Sequence, residues 1–285
     1  MIYYPPIITS HAAPPFDHIP INEVIELAWY LYIAIIAAGF AAGFINTLAG
    51  SGSLITLPLL IFLGLPANVA NGTNRVGILL QNVVAVGSFR HQRVLDLRGG
   101  LMLSVPAIVG SVLGAQIAVN LNEEVMQTVI GALMIVMLVV ILIRPRRWLE
   151  GRGEVENHRL SWTQVLIFFA IGVYGGFIQA GVGIFLLAGL VLGAGYDLVR
   201  ANAVKVLIVL CFTVSALIVF IVNDQVVWLI GLIMGLGNML GAWVASRLAV
   251  ERGATFVRWV LIAVVAVSGA KLLGMFDLVG RLPQL

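Results

Sequence analysis

Apolar residues run along this chain in long blocks, separated by short polar or glycine-rich interruptions. A helix crossing the hydrocarbon core of a bilayer needs about 20 apolar residues. Eight blocks reach that length: 27–48, 69–89, 99–119, 125–143, 162–182, 199–222, 225–246 and 255–275. Two more, 53–65 and 184–195, are short. At roughly 12 residues, each spans about 18 Å as helix, a little over half the hydrocarbon thickness. Each follows a break, Gly50-Ser51-Gly52-Ser53 in one case and Gly181-Val182-Gly183 in the other. The pattern predicts an all-α membrane protein.

The blocks repeat. Gly43-Phe44-Ile45 returns as Gly176-Phe177-Ile178, an offset of 133. VANGTNRV, residues 69–76, lines up with VRANAVKV, residues 199–206, an offset of 130. The segment 110–118 lines up with 237–245, an offset of 127. Three matches in one order indicate an internal duplication. Each copy holds one long, one short and three long segments. Five is odd, so the second copy enters the membrane in the opposite sense. The expectation is two inverted five-segment repeats, with eight full spans plus two short helices after glycine breaks. The domains read as an extracytoplasmic N-terminal segment (1–26), transmembrane repeat 1 (27–143), a cytoplasmic linker (144–161), transmembrane repeat 2 (162–275) and a C-terminal tail (276–285).

Composition narrows the class. The chain is 61% hydrophobic and 10% charged, where a soluble domain carries roughly 25% charged residues. A globular enzyme with a single anchor is excluded. The net charge of +3 reflects loop placement rather than nucleic-acid binding. Arg90, Arg93, Arg98, Arg144, Arg146, Arg147, Arg152, Arg159, Arg200, Arg247 and Arg252 fall on one face of the five-plus-five arrangement, with Arg258 opening the last span. The other face receives Glu123, Glu124, Asp224 and one arginine, Arg281. The positive-inside bias then puts both termini outside the cytoplasm, in a multi-pass protein of the cell (inner) membrane. The first 26 residues contain no Lys or Arg, so they lack the basic region of a signal peptide, and they are rich in proline. Cys211 lies in an apolar run and reads as a packing residue. His11, His18, His91 and His158 show no metal-ligand spacing, and no cofactor is expected.

Of the basic side chains inside the spans, Arg75 and Lys205 stand at matching positions of the two copies, while no acidic side chain lies inside any span. A positive charge at a membrane helix centre costs about 2.5–3.5 kcal/mol on insertion scales. A pseudo-symmetric pair without carboxylates therefore points to a small anion. Glycine breaks at matching places in inverted repeats mark a transporter site near the midplane, and half-helix N-termini carry partial positive charge. The polar residues near the breaks are Asn46, Thr47, Ser51, Ser53, Asn71, Thr73, Asn74 and Arg75, with Gln81 and Asn82 two turns on, and Gln179, Asn202 and Lys205 in the second copy. The expected anion-binding set is Asn46, Ser51, Ser53, Asn71, Thr73, Asn74, Arg75, Gln179, Asn202 and Lys205, with Arg75 and Lys205 binding the anion. The first half is richer, so the site is expected to be lopsided. The plainer alternatives are snorkelling of the two cations to the interface and Asn and Thr bonding only to neighbouring helices. The paired glycines Gly110/Gly114 and Gly237/Gly241 read as close-packing positions. Enzyme chemistry finds no support. There is no His-Glu-x-x-His pattern, and no span holds a histidine to serve Ser51 as a base.

The stretch from Gly43 to Pro58, followed by 64–73 (GLPANVANGT), resembles the first repeat of the sulfite exporter TauE/SafE family. The stretch 175–183, followed by 200–205 (RANAVK), is similar to its second repeat, although Ile184-Phe185 stand where glycine is usual. The resemblance runs through nearly all of 27–275. It implies an inner-membrane transporter of bacteria or archaea that exports sulfite, sulfoacetate or related organosulfonates. The partners expected are a small anionic substrate and the lipid bilayer, with no nucleic acid; a homodimer stays open. An anion-selective channel and a carrier of a different small solute remain as alternatives. No buried carboxylate relay is evident, so membrane potential, about 2.3 kcal/mol per charge per 100 mV, is the expected driving force. Alternating access is expected from one repeat moving against the other.

Overall fold

The computed structural model describes residues 29–143 and 161–272. The expected N-terminal segment, nearly all of the linker and the C-terminal tail, with His11, His18 and His158, lie outside the described residues. The helices are α1 (Trp29–Ala49), α2 (Ser53–Phe62), α3 (Ala67–His91), α4 (Leu97–Val119) and α5 (Glu123–Ile143) in the first half. The second half contains α6 (Trp162–Phe177), α7 (Val182–Ala188) running into a π-helical turn (Gly189–Gly193), α8 (Leu198–Val222) and α9 (Trp228–Leu272). No strand occurs among the described residues.

Four described helices are long and apolar enough to cross a membrane: Tyr30–Ala49, Leu97–Val119, Leu198–Val222 and Trp228–Val257. Shorter apolar helices are Ser53–Phe62, Trp162–Phe177 and Val182–Gly193. Helix α3 is 25 residues long, but its asparagines, threonine and arginine dilute its apolarity. Outward-facing apolar residues such as Val105, Val109, Leu113, Ile218, Leu236 and Leu240 are exposed. That is the pattern of a bundle solvated by lipid. The chain is a multi-pass, all-helical membrane protein.

Two expected boundaries move. The span 162–182 stops at Phe177, because Ile178 turns extended (φ −139°, ψ 121°). The span 225–246 does not end in a loop carrying Arg247 and Arg252. The helix continues until Gly253, whose φ of 68° and ψ of −168° break it. Both arginines lie over aromatic faces, Arg247 at 4.2 Å from the Trp243 ring centroid and Arg252 at 5.4 Å from that of Phe256. Such stacking lets a charged side chain remain on a helix flank.

The halves are interwoven. Helix α1 lies along α9 and α4 lies along α6, while α3 packs on α9, α8 on α4, and α3 crosses α8. The two long seams are lined by glycine. A Cβ on Gly110 or Gly114 would strike the carbonyl oxygens of Phe169 or Val173, and one on Gly172 or Gly176 those of Ala107 or Ser111. In the other seam, Gly39 and Gly43 face the carbonyls of Met234 and Asn238, and Gly237 and Gly241 face those of Ile36 and Phe40. Small residues allow such backbone approach, and dispersion contacts then hold helices together without a hydrophobic driving force. The third helix of each half also ends alike. Val94 N–H donates to Phe89 O (3.3 Å) past Arg93, and Gln225 N–H to Phe220 O (3.0 Å) past Asp224.

Candidate functional site

Both glycine breaks meet inside the bundle. Helix α1 ends at Ala49, the chain turns at Gly50 (φ 78°), and α2 begins at Ser53. In the second half, α6 ends at Phe177 and α7 opens after Gly181 (φ 74°). Gly50 touches Gly183 backbone to backbone. A broken helix leaves its last carbonyls without intrahelical donors and carries roughly half a negative charge at that end.

Two cations answer this need, each from the opposite half. Arg75 on α3 reaches the end of α6. Its Nη1 donates to Gly175 O (3.1 Å) and Gln179 Oε1 (3.5 Å), and its Nη2 to Gly176 O (2.6 Å) and Phe177 O (3.4 Å). The guanidinium carbon lies 4.6 Å from the Phe220 ring centroid. Lys205 on α8 reaches the end of α1. Its Nζ donates to Asn46 O (3.0 Å), Thr47 O (2.8 Å) and Asn202 Oδ1 (2.8 Å). Arg75 is 0% exposed and Lys205 1%, so neither snorkels. Among the described side chains these are the only charged ones that are buried, and no carboxylate is. The described acidic residues sit in loops and at helix ends instead, as where Glu123 accepts the Ala67 N–H at the start of α3.

The neutral residues fall around these two anchors. Asn46 Nδ2 donates to Gln81 Oε1 (3.2 Å), and Gln179 Nε2 donates to Thr213 Oγ1 (2.7 Å). Asn71 Nδ2 donates to Phe177 O (2.8 Å), sharing that carbonyl with Arg75. Thr56 Oγ1 donates to Asn74 Oδ1 (2.6 Å), whose Nδ2 donates to Ser53 Oγ (3.3 Å). Ser51 lies in the α1–α2 break, 3% exposed. Of the residues expected from sequence, Thr73 alone is engaged elsewhere: its Oγ1 accepts the Val227 N–H (2.9 Å) in the turn before α9. Three residues were not anticipated. Thr56 lies one turn beyond Ser53, and Thr213 two turns beyond Lys205 on its face; helical spacing carried a signal for both. Phe220 gave none.

Several buried polar atoms have no hydrogen-bond partner among the described residues. Around the two anchors these are Arg75 Nε, Ser51 Oγ, Gln81 Nε2, Asn202 Nδ2 and Asn71 Oδ1. An ammonium only donates, so the Asn202 oxygen must face Lys205 and its NH2 points away. All but one of these atoms can donate, which favours an anionic guest over a cation. No group of three His, Cys, Asp or Glu side chains able to hold a metal occurs among the described residues.

The model of the sulfite exporter TauE/SafE family matches residues 35–272. The chain belongs to the sulfite exporter TauE/SafE family. This TauE/SafE protein is 31% identical over 252 residues to the probable membrane transporter protein ORF9 of Sinorhizobium sp, covering 87% of this chain and 94% of that one. It is 30% identical over 236 residues to the probable membrane transporter protein YfcA of Escherichia coli K12, covering 81% and 86%. It is 26% identical over 242 residues to a probable membrane transporter protein of Haemophilus influenzae, covering 85% and 94%. No solved structure matches it. Family and relatives are membrane transporters rather than enzymes.

Proposed function

We propose that this TauE/SafE protein is a secondary transporter that exports a small sulfur oxyanion or organosulfonate, such as sulfite or sulfoacetate, across the inner membrane by alternating access. The observation that carries the reading is the buried pair Arg75 and Lys205 in a bundle with no buried carboxylate among the described side chains. Two unit positive charges face two helix ends of about half a negative charge each. Roughly one positive charge is left over, and a bound anion neutralises it. The unpartnered donors beside both cations support the same guest. The exchange of packing partners between the halves supports an inverted repeat of eight spans and two short helices. The arginine-rich loops favour extracytoplasmic termini.

With the cytoplasm negative, each negative charge leaving gains about 2.3 kcal/mol per 100 mV, so export needs no coupled ion. The test is efflux from proteoliposomes loaded with labelled sulfite or sulfoacetate. Saturable efflux that is lost in Arg75→Gln and Lys205→Gln supports the carrier. Unsaturable flux marks an anion channel. Unaltered transport of another solute in both variants marks a different substrate, and efflux no faster than from protein-free vesicles overturns the proposal.

A further inference from the structure

The two cations are already engaged with carbonyls, which raises the question of what touches the anion. Four of the five N–H donors of Arg75 point at α6 and Gln179, leaving only Nε. Lys205 likewise donates to two α1 carbonyls and Asn202.

The break before α2 has the opposite character. The carbonyls of Ser51 and Gly52 are used, accepting from Leu54 N (3.1 Å) and Ile55 N (2.9 Å). The amides of Ser51, Gly52 and Ser53 have no acceptor among the described residues, and all three residues are buried. The ten-residue helix α2 has no side-chain cap. A buried helix start in that condition lacks the partners such amides require. A second, independent observation falls on the same turn: the Ser51 hydroxyl is buried, 3% exposed, and has no partner among the described residues. The Ser53 hydroxyl accepts from Asn74 Nδ2, so its own proton is free to donate. Three amides and two hydroxyls are thus available within three residues.

This turn lies between the cations. Asn46 O accepts both Gly50 N–H (2.9 Å) and Lys205 Nζ (3.0 Å), so a single carbonyl joins the break to the ammonium. On the other side, Asn74 bonds Ser53 and is the chain neighbour of Arg75. The break in the second half is no equivalent: α7 has seven residues, and Val182 N–H is already bonded to Gln179 O (3.4 Å).

We propose that the direct seat of the anion is the Ser51–Gly52–Ser53 turn at the start of α2, and that Arg75 and Lys205 act as positioning residues that supply its positive potential. The inference rests on the anion-transport reading above. Five neutral donors on one turn suit a three-oxygen head such as a sulfonate, where a helix N-terminus favours negative charge.

The test is calorimetric binding of methanesulfonate to the purified full-length protein, with thermal unfolding of the ligand-free protein measured alongside. Ser51→Ala removes one donor to a charged guest, and binding is expected to weaken about tenfold with unfolding unchanged. Ser51→Asp puts a tethered carboxylate on the turn; this variant is expected to remain folded and to bind no methanesulfonate. Either variant binding like the wild type overturns the seat while leaving the transporter intact. A wild-type protein that binds neither methanesulfonate nor sulfite overturns the transport reading, and the seat with it.

Discussion

Gly50 and Gly183 meet backbone against backbone at the centre of the bundle. Neither site has room for a methyl group, and Gly50 is also in the left-handed region at φ 78°. Gly50→Ala and Gly183→Ala should each destabilise the protein by about 2 kcal/mol or more. Gly87 offers the contrast: a Cβ there meets nothing within 4 Å. Gly87→Ala should stabilise α3 by about 0.5–1 kcal/mol. Thermal unfolding in detergent, followed by size-exclusion chromatography, reads all three.

Arg75 combines a fork of hydrogen bonds with stacking on Phe220, and lysine reproduces only its charge. Arg75→Lys should therefore keep methanesulfonate binding while losing about 1–3 kcal/mol of stability. Arg75→Gln should lose both. If Arg75→Lys unfolds at the wild-type temperature, the guanidinium is not holding the end of α6.

A surplus of about one positive charge sets a charge preference. Methanesulfonate should bind, and an uncharged isostere such as dimethyl sulfone should compete at least about tenfold more weakly, because it leaves that surplus uncompensated. Each turnover of methanesulfonate should also carry one negative charge outward. Currents across a supported membrane bearing proteoliposomes provide the check, and electrically silent transport of a sulfonate monoanion rules out an uncoupled carrier.

Tyr196, in the turn before α8, donates its hydroxyl to Asp96 Oδ2 at 2.7 Å, and Asp96 Oδ1 accepts the Gly99 N–H that opens α4. Burial first, then the hydrogen bond and the negative charge of Asp96, push the Tyr196 phenol above its ordinary value. A folded-state value raised in this way stabilises the protein fully below the unfolded tyrosine value near 10, and the contribution fades as pH rises through the folded value. Tyr196→Phe should cost about 1 kcal/mol, constant from pH 6 to about 10 and shrinking above. A difference that vanishes between pH 6 and 8 contradicts this assignment.

Much of the candidate site was legible because its signals are local. The matched positions of Arg75 and Lys205 and the glycine breaks can be read from composition and offset alone. What escaped depends on rotation and on distant partners. Thr73 is two residues from Arg75, about 200° around a helix, and so faces the turn before α9. Asn71 and Asn74, at four and one residues from Arg75, remain on the side of the site. The destination of the Arg75 donors lies 100–104 residues away in α6. Periodicity within a helix cannot reveal which carbonyls a cation will find in another half of the chain. The end of α6 at Phe177 was hidden for the same reason, since apolar residues continue past it and a partner on α3 holds the exposed carbonyls.

The glycine seams set which helices of the bundle are fastened to one another. Each seam fastens a helix of one half to a helix of the other at backbone contact, α1 with α9 and α4 with α6. Sliding one entire half past the other would have to unzip both seams at once. The natural rigid units are instead two hybrid struts, each built from both halves. Gly50 and Gly181, both in the left-handed region, join the broken helix of each strut to its short helix.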